Sequence, residues 1–256
     1  MMNTSQARIF LQNNGLEPGG CPELMNIESP EVISKMAHNY FSNGSDIVLT
    51  NTFGGNQYRL KHYGLESRTV EINKLATEIA KQILSYFQGP ISEFIVNDQE
   101  ALRNVMPEDR RYTYEVRDII QTLADEDSFL ELRKNFGQSI VTGFIRIEGK
   151  PFALLASDCQ KLGGAIDSES AEKAAEFISI CNDHNLSILV LADTPGFMVG
   201  PASEEGGAVR RMASLFKQGA NIQVPLVAIF LRKGYGLGAQ ALVGGSLHNP
   251  VYTAAW

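Results

Sequence analysis

No run of apolar residues in this 256-residue chain reaches the ~18 positions that a helix needs to span a bilayer, so no membrane-crossing helix is expected. Cysteine is scarce: Cys21, Cys159 and Cys181 are the only three, none adjacent and none in a C-x-x-C spacing. That pattern argues against a disulfide framework and against a closed thiolate zinc site, and it fits a reducing, cytoplasmic setting. Histidine is nearly as sparse, with His38, His62, His184 and His248, and no Ser-His-Asp set has motif support. Lys and Arg number 22 against 29 Asp and Glu, a net charge of −7. A chain so balanced offers no broad basic surface for nucleic acid or anionic membranes. The opening MMNTSQAR lacks the apolar stretch of a signal peptide, and no internal repeat or low-complexity segment is visible.

What remains is ordinary for a globular chain: 44% apolar and 20% charged residues. The length allows one large domain or two smaller ones. Glycine is unevenly spread, with 15 of its 23 copies between Gly137 and Gly245. A loop-built site in the second part of the chain is the natural reading.

Two strand-to-glycine-loop units carry that site. They are LSILVLADTPGFMVG (186–200) and VPLVAIFLRKGYGLGAQ (224–240). Each starts with a run too apolar for a one-sided strand and reads as a strand buried on both faces. Each then breaks into small residues at the strand's carboxyl end, where open α/β sheets place ligands. Small residues let a ligand approach backbone N–H groups, and two such donors on one oxygen make an oxyanion hole. Asp193 ends the first strand, and its expected role is to cap the following loop through backbone N–H groups rather than to transfer protons.

Elsewhere the pattern predicts a helix from Ser29-Pro30, with Val32, Ile33, Met36, Ala37, Tyr40 and Phe41 on one face. A strand follows at Asp46–Thr50. A second helix runs from about Ser67 to Phe87, with Val70, Leu75, Ile79, Ile83 and Phe87 as its apolar side. Residues 90–113, with two prolines and the charged run EDRR, read as a solvated linker or lid. Tyr114–Leu123 reads as helical, and 139–157 as a hairpin turning at Glu148-Gly149-Lys150. Helices are expected at Ser168–Asn182, with Ala171, Ala174, Ala175, Ile178 and Cys181 on one face, and at Glu205–Lys217.

The motifs LGGAID (162–167), DTPGF (193–197), LRKGYGLGAQAL (231–242) and TAAW (253–256) resemble the carboxyltransferase component of biotin-dependent acyl-CoA carboxylases of the acetyl-/propionyl-CoA type. The resemblance covers about residues 84–256, a truncated second half of that component. It implies an α/β fold of the crotonase/ClpP-like ββα spiral class. It also implies transfer of a carboxyl group from carboxybiotin to the α-carbon of an acyl-CoA, through enolate-like anions held by backbone donors. Losing one such donor typically costs ~2.7–4 kcal/mol of barrier. Carried over by position, Gly238 and Ala239, with Gly236 shaping the turn, would hold the biotin oxygen, and GYGLGA leaves Gly236 and Gly238 as alternative donors. Thr194, Pro195, Gly196 and Phe197 would line the same pocket. No Met-Lys-Met is present, so biotin would arrive on a separate biotinylated carrier, served by a biotin carboxylase. The family's first half would act in trans, and a homo-oligomer is expected.

Residues 8–82 carry a different resemblance. GLEPGGCPELMN (15–26), TNTFGGN (50–56) and EIN (71–73) resemble the first part of the homocysteine S-methyltransferase (β/α)₈ barrel. That implies a partial homocysteine-binding segment at 1–83, joined to a carboxyltransferase domain at 84–256. The cysteines that hold that family's zinc have no counterpart here, so zinc is not expected. Three functions follow: an acyl-CoA carboxyltransferase impaired as an isolated chain, a zinc-dependent methyltransferase, or an inactive fusion that only binds partners.

Overall fold

A computed structural model describes residues 4–42, 50–52, 54–109, 111–205 and 208–256. The chain divides into two compact units, Met1–Gln88 and Gly89–Trp256.

The described residues of the first unit form helices and turns. They are α1 (Thr4–Asn13), α2 (Met25–Glu28), α3 (Pro30–Ser42), α4 (Gln57–Leu60) and α5 (Thr69–Ser85). Leu11, Leu16, Met25, Ile33 and Met36 make one apolar cluster with Ile79 packed against it, and Cys21, Leu60 and Ile72 make another. The start of α3 at Pro30 follows the expectation. The strand expected at Asp46–Thr50 lies outside the described residues over 46–49, and Thr50 at its end lies in no strand. Among the described residues of the first unit no barrel strand is present. The apolar side of α5 also needs correction. Ile72, Ala76 and Ile83 are buried, whereas Val70 is 79% exposed. A stripe begun at Val70 is out of phase with the face defined by Ile72, Ala76, Ile79 and Ile83, which keeps the i, i+4, i+7 and i+11 positions of a helix.

The second unit is built on one six-stranded sheet whose spatial order is the chain order. Its strands are β1 (Leu130–Leu132), β2 (Ile140–Ile147), β3 (Lys150–Ser157), β4 (Ile188–Thr194), β5 (Leu226–Gly234) and β6 (Tyr252–Ala255). β1, β2 and β3 pair antiparallel; β3 to β6 pair parallel. The β2–β3 turn matches the expected hairpin: Glu148 and Gly149 both have positive φ, 50° and 74°, as a two-residue primed turn requires. The Asp125 carboxylate accepts both N–H groups of this turn, from Glu148 at 2.9 Å and Gly149 at 2.7 Å. A Cβ at 149 would run into the Ile91 carbonyl.

One sheet face is covered by α6 (Val116–Leu123), whose Val116, Ile119 and Ile120 join Val141, Ile145, Leu154, Leu189 and Leu191 in the core. The other face receives α7 (Ser168–Asp183), where Phe177 meets Phe144 with ring centroids 5.7 Å apart. Asp167 caps α7 by accepting the Ser170 N–H at 2.9 Å, the stabilising arrangement for an N-terminal Asp. All five residues expected on the inner face of α7 are buried. The helix expected at Glu205–Lys217 is seen as α8 (Pro201–Glu205) and α9 (Ala208–Ala220). The last helix is α10 (Gly236–Leu242). No helix of the described residues is long and apolar enough to cross a membrane.

Residues 90–113 are not simply a solvated linker. Leu102, Val105 and Met106 pack on the second unit's core, and Gln99–Asn104 forms a 3₁₀ turn. Ile91 N–H donates to the Gly149 carbonyl at 3.0 Å, and Glu126 N–H to the Ile95 carbonyl at 2.8 Å. The apolar residues spaced between the charges, which the sequence reading left without a partner, account for this docking.

Candidate active site

The two glycine loops meet at the carboxyl ends of the neighbouring parallel strands β4 and β5. Every residue of β4 is buried, as a central strand flanked on both faces should be. Thr194 ends it, opposite Gly234 of β5. The loop then turns on itself: Gly196 N–H donates to Thr194 Oγ1 at 3.1 Å, and Gly196 has φ of 122°. Ile166 ties this loop to the LGGAID segment, donating to the Gly196 carbonyl at 3.0 Å and accepting from Met198 N–H at 2.8 Å. Phe197 packs toward Phe216 of α9, with centroids 6.1 Å apart. Pro195 is exposed.

After β5, Tyr235 N–H donates to the Thr194 carbonyl at 3.2 Å and α10 begins. Gly236 has φ of 60°, and a Cβ there would meet nothing within 4 Å. Gly238 is buried, and a Cβ on it would lie 2.7 Å from the Gly196 Cα. The first helical bond is Ala239 N–H to the Tyr235 carbonyl, at 3.4 Å. The N–H groups of Gly236, Leu237 and Gly238 therefore open the helix without a carbonyl one turn back, while that of Ala239 is engaged. Around the loops stand exposed apolar side chains: Val199 at 82%, Leu237 at 63% and Tyr235 at 60%.

Thus Thr194, Gly196, Phe197, Gly236 and Gly238 come together at one edge, with Ala239 behind them in the first turn of α10. Sequence reasoning missed the charged group beneath. Asp193, with no solvent exposure, accepts from Tyr114 Oη at 2.8 Å, Arg232 Nε at 3.0 Å and Lys233 N–H at 3.1 Å. It does not cap its own following loop. Burial and the Asp193 carboxylate push the Tyr114 phenol well above its usual range, so it stays a donor. A charged pair, Arg232-Lys233, breaking into an apolar strand just before the glycines was the one available sign. The turn Leu162–Gly164 joins the same edge: Lys233 Nζ donates to the Gly163 carbonyl at 2.6 Å, and a Cβ on Gly164 would collide with the Asp193 carbonyl.

Among the described residues, no three His, Cys, Asp or Glu side chains gather as a metal site would need, and all three cysteines are buried and unpaired. What the edge offers is backbone donors on a rigid sheet. Such donors stabilise a developing oxyanion.

The family model for the carboxyl transferase domain matches residues 25–256. It therefore takes in residues 25–82, and the reading of residues 8–82 as a homocysteine methyltransferase segment is not supported. The propionyl-CoA carboxylase beta chain of Cereibacter sphaeroides is 33% identical over 167 residues, covering 65% of this chain and 32% of the relative. Among solved structures, a single-chain, multi-domain long-chain acyl-CoA carboxylase superposes with a TM-score of 0.70 at 48% identity, over 71% of this chain and 19% of the other. The transcarboxylase 12S hexamer superposes with a TM-score of 0.63 at 29% identity, over 71% of this chain and 37% of the other. The chain spans between 32% and 52% of the length of the curated relatives it matches most strongly.

Proposed function

This chain belongs to the carboxyl transferase domain family, and from that premise we propose that it forms the biotin-side part of an acyl-CoA carboxyltransferase, of the acetyl-/propionyl-CoA type. One observation carries the reading: the Gly196 loop and the first turn of α10, where the N–H groups of Gly236, Leu237 and Gly238 have no carbonyl one turn back, lie at adjacent strand ends. Carboxybiotin, brought by a biotinylated carrier that a biotin carboxylase loads, supplies the carboxyl group. The donor set fits that group, because a ureido oxygen needs acceptor-directed N–H groups and open space, and Gly236 provides the space. Gly238 N–H holds the oxygen and Gly236 shapes the turn; Ala239, expected to share the hold, instead gives its N–H to the Tyr235 carbonyl at 3.4 Å, which leaves Leu237 N–H as the second donor. Thr194 fixes the Gly196 loop, while Pro195, Gly196 and Phe197 form the facing wall. Preorganised donors of this kind require no rearrangement as charge develops.

The exposed Val199, Tyr235 and Leu237 form an apolar rim that an acyl-CoA-binding half, supplied in trans within a homo-oligomer, would cover and dry. Residues 8–82 retain their resemblance to homocysteine S-methyltransferases as motifs, and we assign them no methyl transfer, since the carboxyl transferase match runs through residues 25–82.

The test combines the full chain with the complementary half, a biotinylated carrier and its carboxylase. Labelled bicarbonate should enter acetyl- or propionyl-CoA only when the carrier is biotinylated. Absence of incorporation with a complement that supports a full-length relative would sink the reading.

A further inference from the structure

We propose that Asp193 is a positioning residue that sets the separation of the two glycine loops by holding a bulge in β5. The inference deepens the assignment of these loops to carboxyl transfer and rests on it.

The ladder between β4 and β5 is regular from Ile188 opposite Leu226 to Ala192 opposite Phe230. It then shifts and resumes at Thr194 opposite Gly234. Asp193 alone therefore faces Leu231, Arg232 and Lys233. Such an insertion bends its strand and leaves backbone groups without ladder partners, and bulges recur beside active sites. Here the Asp193 carboxylate replaces the missing ladder. Its Oδ1 accepts the Lys233 backbone N–H at 3.1 Å. Its Oδ2 accepts Arg232 Nε at 3.0 Å and Tyr114 Oη at 2.8 Å, with Arg232 Nη2 at 2.9 Å.

The two bulged cations then extend the hold. Arg232 Nη1 donates to the Tyr112 carbonyl at 2.7 Å, and its guanidinium lies over the Tyr114 ring. Lys233 Nζ donates to the Gly163 carbonyl at 2.6 Å, beneath the turn that touches Asp193. One carboxylate thus ties together the 112–114 segment, the bulge and the 162–164 turn. The loop positions follow directly in sequence: Gly196 stands three residues after Asp193, and Gly236 three after Lys233. A buried carboxylate needs partners wherever it sits. Burial alone does not explain why its backbone partner and both cations come from the bulge that precedes the second loop.

Hydrogen–deuterium exchange on the full chain tests this without requiring turnover. In Asp193→Asn, amides at 196–198 and 235–238 should exchange about tenfold faster or more, as expected when a buried charge network loses its centre, while β2, β3 and α7 keep wild-type rates. Tyr114→Phe should show a smaller increase confined to the same loops, and it decides the matter if Asp193→Asn does not fold. In the complemented transfer assay, kcat should fall about tenfold or more with KM for the acyl-CoA unchanged, the pattern of a lost transition-state interaction. Unchanged loop exchange, or acceleration spread evenly over the whole unit, overturns the proposal. If wild-type protein transfers no carboxyl group, the functional reading fails, and loop exchange still decides whether Asp193 positions the loops.

Discussion

Gly238 rests directly on Gly196: a Cβ at 238 would stand 2.7 Å from the Gly196 Cα and 2.8 Å from the Phe197 nitrogen. The obstacles are backbone atoms on a second loop, and neither loop can rotate a side chain out of the way. The small residue at 238 is needed because two main chains cross there.

That contact separates the two neighbouring glycines. Gly238→Val should push the loops apart, lower stability by about 1–3 kcal/mol as overpacking does, and abolish biotin-dependent transfer. Gly236→Ala meets no atoms but must hold φ of 60°, so it should cost about 1 kcal/mol through backbone strain alone. Urea unfolding of both variants checks the order; equal losses would mean the crossing is not maintained in solution.

Lys173 predicts a pH effect. It is buried in α7 with Nζ donating to the Ile140 carbonyl at 2.7 Å, and burial lowers its pKa from 10.5 to about 8. Between those values the unfolded chain keeps a proton that the folded chain has released, so this group makes stability rise with pH there. Its penalty is fully present below pH 8 and is relieved toward 10.5. The slope approaches about 1.4 kcal/mol per pH unit. Lys173→Met should remove that rise, seen as a shrinking stability difference from wild type as pH increases from 8. Parallel curves for the two proteins across this range would contradict the assignment.

Arg117 holds three carboxylates: Glu131 at 2.6 Å, Asp158 at 2.9 Å and Glu115 at 3.1 Å. Asp158 has almost no exposure. Arg117→Gln strands these charges and should destabilise the protein by about 3–5 kcal/mol. Thermal unfolding at a fixed pH measures it, and a loss of under about 1 kcal/mol would mean that these pairs behave as exposed ones.

Trypsin should reach Arg111, whose side chain is 89% exposed. The cut pieces should nevertheless elute together on size exclusion, since Leu102, Val105 and Met106 anchor the preceding segment to the core that lies beyond the cut. Separation of the pieces under native conditions would show that this docking is weak.

Local signals in the sequence were enough for the hairpin at Glu148-Gly149, the capped helix after Asp167 and the buried strand β4; β5, expected to be buried on both faces, is only partly so, with Val227, Ile229 and Phe230 half-buried. Each is set by neighbours a few positions apart. The network around Asp193 was not legible, because Tyr114 and Arg232 lie 79 and 39 positions away. Nothing in the local pattern announces a partner at that range. The misplaced Val70 has a simpler cause: in a helix with several apolar residues, a shift of two positions selects a different face, and only packing decides between them. Likewise the prolines and charges of 90–113 suggested solvent, while the three apolar residues that dock it were too few to form a period.

The uninterrupted strand order has a consequence for how the second unit is made. Every pair joins strands that follow one another in the chain, so each strand from β2 onward finds a partner already made. The hairpin of β2 and β3, closed by a two-residue turn, can form as soon as it is available, and β4 and β5 can be laid on its open side in turn. Keeping every pairing between successive strands lowers the loop-closure cost that slows other sheets. Among the described strands β6 pairs with β5 alone, and its removal would leave the other five paired as they are.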